Sequence, residues 1–221
     1  MSRRIARSSQ VTCCAVQTNL SAPLDWVARA NRDRLALWCT SRPEWTTEVK
    51  FLAQCRTLDE HGIAYSVGVV GQREYEAAAR SLRAALPAAT YVWINAVKAL
   101  AYAPEEIASW RSIDPLFELN NQRYASLGKP CGAGERDHAI TVDGDGTMRR
   151  CHFISDPIGN LYGAGWQAAL VPRACSQLDC HCHIGYHLDH LELDKVFATG
   201  LLERVPTPEA RAGGVRLPVV A

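Results

Sequence analysis

Four apolar runs recur along the first half of the sequence and restrict the chain to a small set of folds. They are rich in β-branched and aromatic residues and occupy 11–16, 34–39, 63–70 and 90–95. Because the runs are mostly continuous rather than alternating, they indicate strands buried on both faces of a parallel sheet. Their starts lie 23 to 29 residues apart, as repeated β-α units with short loops require. The pattern predicts a right-handed α/β array, either a doubly wound sheet or part of a barrel.

Helical patterns lie between the predicted strands. Ser21 is a suitable N-cap for a helix over 22–31. A second helix is predicted after Pro43, with Gly62 as its stop. Its predicted buried face consists of Trp45, Val49, Leu52 and Cys55. A third helix is predicted over roughly 73–85.

Beyond residue 112 the sequence changes to glycine, cysteine and histidine with short strands. The stretches HAITV (138–142) and TMRRCHF (147–153) flank DGDG, which is a hairpin signal. The predicted organisation is a ragged N-terminus over 1–10, an α/β region over 11–124, a small Cys-rich α+β region with a β-hairpin over 125–205, and a flexible tail over 206–221.

Composition and charge exclude several classes of partner. The formal net charge is +1, so the protein has no strong overall electrostatic field that would attract nucleic acid or an acidic membrane surface. The basic start lacks the apolar segment of a secretory signal, and no run is long enough to span a membrane. We therefore expect a cytoplasmic protein, in which nine cysteines are ligands or core residues rather than disulfides.

The cysteines fall into two groups. Those in predicted strands or a helix are expected in the core, namely Cys13, Cys14, Cys39 and Cys55. The others lie in the irregular C-terminal part and are candidate metal ligands, namely Cys131, Cys151, Cys175, Cys180 and Cys182. The predicted hairpin would carry Cys151 back toward Cys131. Five thiols can complete one four-thiolate centre but not two.

The spacing of these thiols favours an iron–sulfur cluster over zinc. Zinc sites tend to use paired C-x2-4-C knuckles, and the Cys175–Cys180 pair is one residue too long for that pattern. Cluster ligands come more readily from scattered loops. Zinc and reduced structural cysteines remain the alternatives. Nearby histidines would donate hydrogen bonds around the ligands or replace one thiolate, namely His181, His183, His187 and His190.

The cysteine spacing resembles a known arrangement. C-x14-G-x4-C followed by a late cysteine group is similar to the auxiliary-cluster region, called SPASM or twitch, of radical S-adenosylmethionine (SAM) enzymes. The stretches QTNLS, YVWINA, DGDGTMRRCHF and CHCHIGY, among others, resemble one uncharacterised bacterial family of these enzymes. The similarity extends from about residue 15 to 206. It implies a partial (β/α) barrel fragment over 11–124 and an auxiliary 4Fe–4S cluster over 125–205.

The resemblance also implies residues that would contact SAM. VGVVGQRE is similar to the family's adenine motif G-x-I-x-G-x-x-E, with Val69, Gly71 and Glu74 at matching positions. Val67 stands where the first glycine of the motif belongs. Asn95, after the next strand, matches a region that touches adenine in relatives.

Two motifs of the family do not occur, namely the C-x3-C-x2-C of the catalytic cluster and the GGE-type turn that holds the SAM amino group. Radical-SAM enzymes bind their catalytic cluster through C-x3-C-x2-C, and this sequence has no such spacing. The resemblance therefore implies an N-terminally truncated member that lacks the first β-α units and is unable to cleave SAM alone. SAM would be a cofactor only if the missing part were supplied, for example by a separately encoded N-terminal half. The substrate of the complete enzyme, a small molecule or a peptide, is not specified.

The sequence is also compatible with two other functions. The first is a zinc-stabilised, non-catalytic binding module in which the thiolates serve folding. The second is an ordinary α/β hydrolase or transferase with incidental cysteines. It is the weakest hypothesis because the sequence contains no G-x-S-x-G, no P-loop and no G-x-G-x-x-G.

Overall fold

The computed structural model describes residues 13–129, 140–182, 193–198 and 203–212. These residues form a mixed α/β structure with one four-stranded parallel sheet and two small antiparallel sheets. The chain divides into two compact units. One unit comprises 1–121 and 192–221, and the other comprises 122–191.

The parallel sheet of the first unit contains the four predicted strands. They are β1 (Cys14–Thr18), β2 (Leu35–Ser41), β3 (Ala64–Val70) and β4 (Val92–Asn95). All neighbouring pairs are parallel, and the spatial order β1-β2-β3-β4 follows the chain order. The continuous apolar runs correctly predict this sheet because its central strands are covered on both faces.

The helices have the following bounds. They are α1 (Glu48–Glu60), α2 (Glu76–Ala85), α3 (Pro104–Arg111), α4 (Phe117–Asn121), α5 (Asp194–Phe197) and α6 (Pro208–Ala212). A 3-10 turn over Arg73–Tyr75 leads into α2, so the third predicted helix is confirmed. Gly62 follows α1 with a φ of 65°, which confirms it as the stop. No helix in the described segments is both long enough and apolar enough to cross a membrane.

The buried face of α1 differs from the predicted one. Phe51, Cys55 and Leu58 are buried against the sheet, at the i, i+4 and i+7 spacing of one helix face. Trp45 and Val49 are 74% and 78% exposed, so the prediction that they are buried is wrong. Trp45 lies before the first helical residue and does not share the helical periodicity, whereas Val49 lies on the solvent side.

The predicted helix over 22–31 does not form. Only a 3-10 turn over Val27–Arg29 is present. The backbone N–H of Ser21 donates to the side-chain oxygen of Asn19, which closes a local turn instead of starting a helix. Leu24 and Val27 are the buried apolar side chains of this segment, and two such side chains do not stabilise a helix of three turns.

The two faces of the parallel sheet have different covers. Successive side chains along each strand point to opposite faces of the sheet. Leu37, Val67 and Ile94 lie on one face and belong to the hydrophobic core beneath α1 and α2. The opposite set includes Trp38, Ser66 and Trp93. Residues 193–198 and 203–205 contribute buried side chains to the first unit, including Phe197, which packs against Tyr91 of this second face with ring centroids 5.6 Å apart. Trp93 is buried on this second face.

The second unit consists of short antiparallel strands. They are β5 (Tyr124–Ala125), β6 (Thr141–Val142), β7 (Thr147–Arg149), β8 (Pro157–Asn160) and β9 (Asp179–Cys180). A 3-10 turn spans Trp166–Ala169. β5 pairs with β9, and β6-β7-β8 form a three-stranded sheet. The DGDG segment connects β6 to β7, which confirms the predicted hairpin.

Candidate metal centre

Two of the four cysteines of the parallel-sheet unit are core side chains. Cys39 and Cys55 are buried, as predicted. Burial raises the pKa of Cys39 far above its ordinary value and raises the pKa of Cys55 to about 12. Both thiols are therefore neutral at physiological pH. Cys13 differs from the prediction because it lies exposed, just before β1, and Cys14 is only half-buried.

The candidate ligands of the second unit lie on segments joined by hydrogen bonds. Cys180 belongs to β9 and pairs with Tyr124 of β5. The backbone of Cys175 continues this pairing, because its carbonyl accepts from Gly128 N at 2.9 Å and its N–H donates to Lys129 O at 3.0 Å. Cys131 lies outside the described residues. It follows Lys129 by two positions in the sequence.

Cys180 and Cys182 are in direct contact. The backbone N–H of Cys182 donates to Cys180 Sγ at 3.3 Å. The side chain of Cys182 also hydrogen-bonds to this sulfur and is the largest cause that lowers the pKa of Cys180 to about 6. Partial burial opposes the shift, while backbone hydrogen bonds and the charge of Arg150 add to it. Cys180 is thus a thiolate at neutral pH, the form that binds metals.

Arg150 lies between the cysteine-bearing segments. It precedes Cys151 in the chain, its Nε donates to the carbonyl of Arg173 at 2.8 Å, and its charge acts on Cys180. Arg150 is only 4% exposed, and its Nη1 and Nη2 have no hydrogen-bond partner within the described part of the chain. A buried guanidinium is stabilised by hydrogen-bond acceptors or by an anionic neighbour.

The segment after Cys151 packs against the segment around Cys180. The Phe153 ring lies 4.9 Å from the ring of His181, and the carbonyl of Phe153 accepts from Gln177 Nε2 at 3.4 Å. Cys151 itself is two positions beyond Arg149, the last residue of β7, so it does not lie on the strand as predicted. Sequence reasoning missed Phe153 and Arg150 as site residues, because no local pattern marks a residue that contacts a segment distant in the sequence.

The described side chains do not assemble a complete metal site. Within 13–129, 140–182, 193–198 and 203–212, no three Cys, His, Asp or Glu side chains lie close enough together to hold a metal ion. His181 packs against Phe153. The remaining predicted histidines lie outside the described residues, namely His183, His187 and His190.

The residues predicted to contact SAM lie at and near the carboxyl ends of β3 and β4. The N–H of Gly71 donates to the carbonyl of Asn95 at 2.8 Å, and the carbonyl of Gly71 accepts from Tyr102 at 2.6 Å. Val69 is 1% exposed within the core beneath the helices. Glu74 and Asn95 are the two of the four predicted residues that are exposed. Their role stays a prediction.

No protein-family model, curated protein or solved structure matches this chain. The comparisons thus assign neither a family nor an activity. A functional inference therefore rests on the chemistry of the cysteine-rich unit and on the topology of the parallel sheet.

Proposed function

We propose that this chain is a radical-SAM-type protein fragment that binds one auxiliary iron–sulfur cluster in its second unit. The ligands are four of five thiols, namely Cys131, Cys151, Cys175, Cys180 and Cys182. The parallel sheet is the later part of a partial (β/α) barrel. Because the sequence contains no C-x3-C-x2-C, the chain alone does not cleave SAM.

The buried guanidinium of Arg150 is the observation that carries this proposal. Arg150 directly precedes Cys151 in the sequence. Its Nε donates a hydrogen bond to Arg173, two residues before Cys175, and its charge acts on Cys180. Four thiolates outweigh the positive charge of the metal centre that they hold, so a completed centre is a net anion. Such an anion would satisfy the free N–H groups of Arg150, which have no other described partner.

The donor set fits an iron–sulfur cluster chemically. Cys180 is already a thiolate near neutral pH, and Cys182 lies beside it. The remaining ligands come from widely separated positions in the sequence, as is usual for clusters and unusual for zinc knuckles. When bound, an auxiliary cluster supplies one-electron transfer or a coordination site for substrate. The chain's own part is to hold the thiolates together and to balance their charge with Arg150.

The strand order supports the barrel part of the proposal. A doubly wound sheet reverses its strand order at a switch point, whereas a barrel adds each strand beside the previous one. The described order β1-β2-β3-β4 contains no reversal. β1 stands at the edge of this sheet, where a separately encoded N-terminal half could add strands in the same parallel sense.

Anaerobic reconstitution of the full chain with iron and sulfide tests the cluster. We expect a brown protein with visible charge-transfer absorption and about four iron atoms per chain, as a 4Fe–4S cluster requires. Alanine substitution of each candidate ligand in turn should abolish the colour in four variants and leave it in the fifth. Cys13→Ala is the matched control, because Cys13 is exposed and lies in the other unit.

Metal analysis separates the proposal from a zinc module. Zinc without iron after reconstitution would contradict the iron–sulfur assignment. Retention of colour in all five single variants would contradict the ligand set. The partner half is tested separately, by adding a polypeptide that carries C-x3-C-x2-C and measuring 5′-deoxyadenosine formation from SAM.

A further inference from the structure

Two of the five candidate ligands are in direct contact with each other. Cys180 is the last residue of β9, where it pairs with Tyr124 of β5, and Cys182 lies two positions further along the chain. The backbone N–H of Cys182 donates to Cys180 Sγ at 3.3 Å, and the Cys182 side chain hydrogen-bonds to the same sulfur. The two thiols therefore face each other.

The backbone between these two cysteines suits a disulfide. Two residues span at most about 7 Å when fully extended, which is close to the upper limit of the Cα–Cα distances that disulfides bridge. The 3.3 Å hydrogen bond shows that the Cys180 side chain is folded toward the backbone two residues on. The Cys182 sulfur belongs to the residue whose nitrogen makes this bond, so rotation of the side chains brings the two sulfurs within bonding reach.

The pair is accessible and is not part of a larger ligand group among the described residues. Within 13–129, 140–182, 193–198 and 203–212, no three Cys, His, Asp or Glu side chains lie close enough together to hold a metal ion. Cys180 and Cys182 are half-buried, whereas Cys175 is only 7% exposed. Small oxidants react preferentially with thiols that solvent reaches.

Two other pairs of cysteines are not arranged for the same reaction. Cys13 and Cys14 are adjacent at the start of β1, where successive side chains point to opposite faces of the sheet. Cys39 and Cys55 are 0% and 1% exposed, so a dissolved oxidant does not reach them. The contact between Cys180 and Cys182 thus combines proximity with access.

We propose that Cys180 and Cys182 are a redox modification site, at which a small disulfide such as glutathione disulfide oxidises both thiols to an intrachain disulfide. One protein sulfur bonds to a sulfur of the oxidant, the S–S bond of the oxidant breaks, and the first glutathione thiol leaves. The second protein sulfur then displaces the other glutathione. The protein thiols lose two electrons and two protons, which the oxidant takes up as it becomes two thiols.

The consequence for metal binding rests on the proposed function. Oxidation removes two of the five candidate ligands and leaves three, which is one fewer than a four-thiolate centre needs. A bound cluster would in turn occupy both sulfurs and protect them from oxidation, because the coupling between two such events is reciprocal. The disulfide itself requires only the contact between the two thiols.

Mass spectrometry of the full-length, metal-free chain incubated anaerobically with glutathione disulfide tests the modification. We expect the chain to lose two hydrogens without gaining glutathione, and we expect dithiothreitol to reverse the change. Peptide mapping should place the new bond between Cys180 and Cys182. Cys13→Ala is the background for these measurements, because the exposed Cys13 thiol would take up glutathione by itself. The loss of two hydrogens should persist in Cys175→Ser.

Single substitutions of the pair test the two-step exchange. Cys180→Ser and Cys182→Ser each leave one thiol without a partner to complete the reaction, so a stable glutathione adduct should accumulate in at least one of them. A new bond from either cysteine to Cys131 or Cys175 would overturn the proposal. Recovery of both thiols in the reduced state, or a glutathione adduct without a disulfide in the unsubstituted pair, would overturn it as well. These outcomes are read from the unsubstituted pair and do not depend on the folding of a variant.

The cluster-loaded chain distinguishes this inference from the proposed function. After reconstitution and removal of free iron and sulfide, the same oxidant should leave Cys180 and Cys182 reduced for as long as the colour persists. Oxidation of the pair in brown protein would contradict their assignment as ligands but not the modification. Brown protein from a chain that forms no disulfide before loading would overturn the modification and leave the cluster. A chain that forms the disulfide and takes up no cluster would overturn the proposed function and the consequence drawn from it.

Discussion

Cys55 and Cys180 carry the same thiol group in opposite surroundings. Cys55 is enclosed by the apolar core beneath the sheet, and burial raises its pKa to about 12. Cys180 receives hydrogen bonds from Cys182 and lies near Arg150, and its pKa is lowered to about 6. The first remains a neutral core side chain, and the second is ready to bind metal or to react.

The reactivity of Cys180 in metal-free protein should follow this pKa. Above about pH 6 Cys180 is a thiolate, so alkylation by iodoacetamide should be fast at pH 7 and slow down as the pH falls through 6. Cys182→Ala removes the largest cause of the shift and should move the midpoint upward. Mass spectrometry of alkylated peptides measures both midpoints. An unchanged midpoint in Cys182→Ala would contradict the contact, and Cys55 should remain unmodified in either protein.

Replacing Arg150 should have opposite effects in the two metal states. Without metal, Arg150→Met removes two buried nitrogens that have no described partner but also one hydrogen bond to the carbonyl of Arg173, so the free energy of unfolding should rise by only about 1 kcal/mol. With the cluster bound, the same change removes the balancing charge and should lower the stability. Urea unfolding of chelated and reconstituted protein measures both, and Arg150→Lys is the charge-preserving control. A change of the same sign in both states would argue against an anionic centre beside Arg150.

At the scale of elements, α1 contacts the sheet through one narrow face. Phe51 is 0% exposed, while Val49, two residues earlier, is 78% exposed. Phe51→Ala should lower the free energy of unfolding by about 3–5 kcal/mol, because it leaves a cavity under the helix. Val49→Ala should change it by no more than about 0.5 kcal/mol. Equal effects in denaturant unfolding would mean that α1 is rotated from the described orientation.

The contact between β3 and β4 depends on a missing side chain. A Cβ at Gly68 would lie 2.3 Å from the Trp93 ring. Gly68→Ala should therefore displace the indole and lower the free energy of unfolding by roughly 1–3 kcal/mol. Gly144→Ala is the control, because no atom within 4 Å would meet its Cβ. Intrinsic fluorescence should change in Gly68→Ala only, and identical behaviour of the two variants would contradict this packing.

At the scale of the whole chain, the core of the first unit includes residues from the C-terminal part of the sequence. Phe197 is 1% exposed and packs on Tyr91 of the sheet face, more than a hundred residues away in the chain. The hydroxyl of Ser66 donates to the carbonyl of Glu203 on the same face. The C-terminal segment thus completes the core of the first unit and belongs to its cooperative fold.

Removing the Phe197 side chain should lower the stability measurably. Phe197→Ala should lower the free energy of unfolding by about 3–5 kcal/mol, as deletion of a buried phenylalanine does. Lys195→Ala, on the exposed side of α5, should leave it nearly unchanged. If Phe197→Ala were as stable as the unmodified chain, the C-terminal segment would not be part of the core.

The sequence by itself determined the features that follow from local patterns. The strand runs, the stop at Gly62 and the hairpin at DGDG were all predictable, because strand burial and turn chemistry are encoded by adjacent residues. The burial of Cys39 and Cys55 was predictable for the same reason, whereas Cys13 and Cys14, also predicted in the core, are exposed and half-buried.

Only the tertiary structure decided which side chains distant segments bury. The face of α1, the failure of the helix over 22–31 and the burial of Arg150 depend on contacts that no local pattern encodes. The stacking of Arg204 on Trp38 and Trp93 is of the same kind. The physical reason is that burial is a property of the assembled chain, so residues far apart in sequence set the desolvation and the hydrogen bonding of each site.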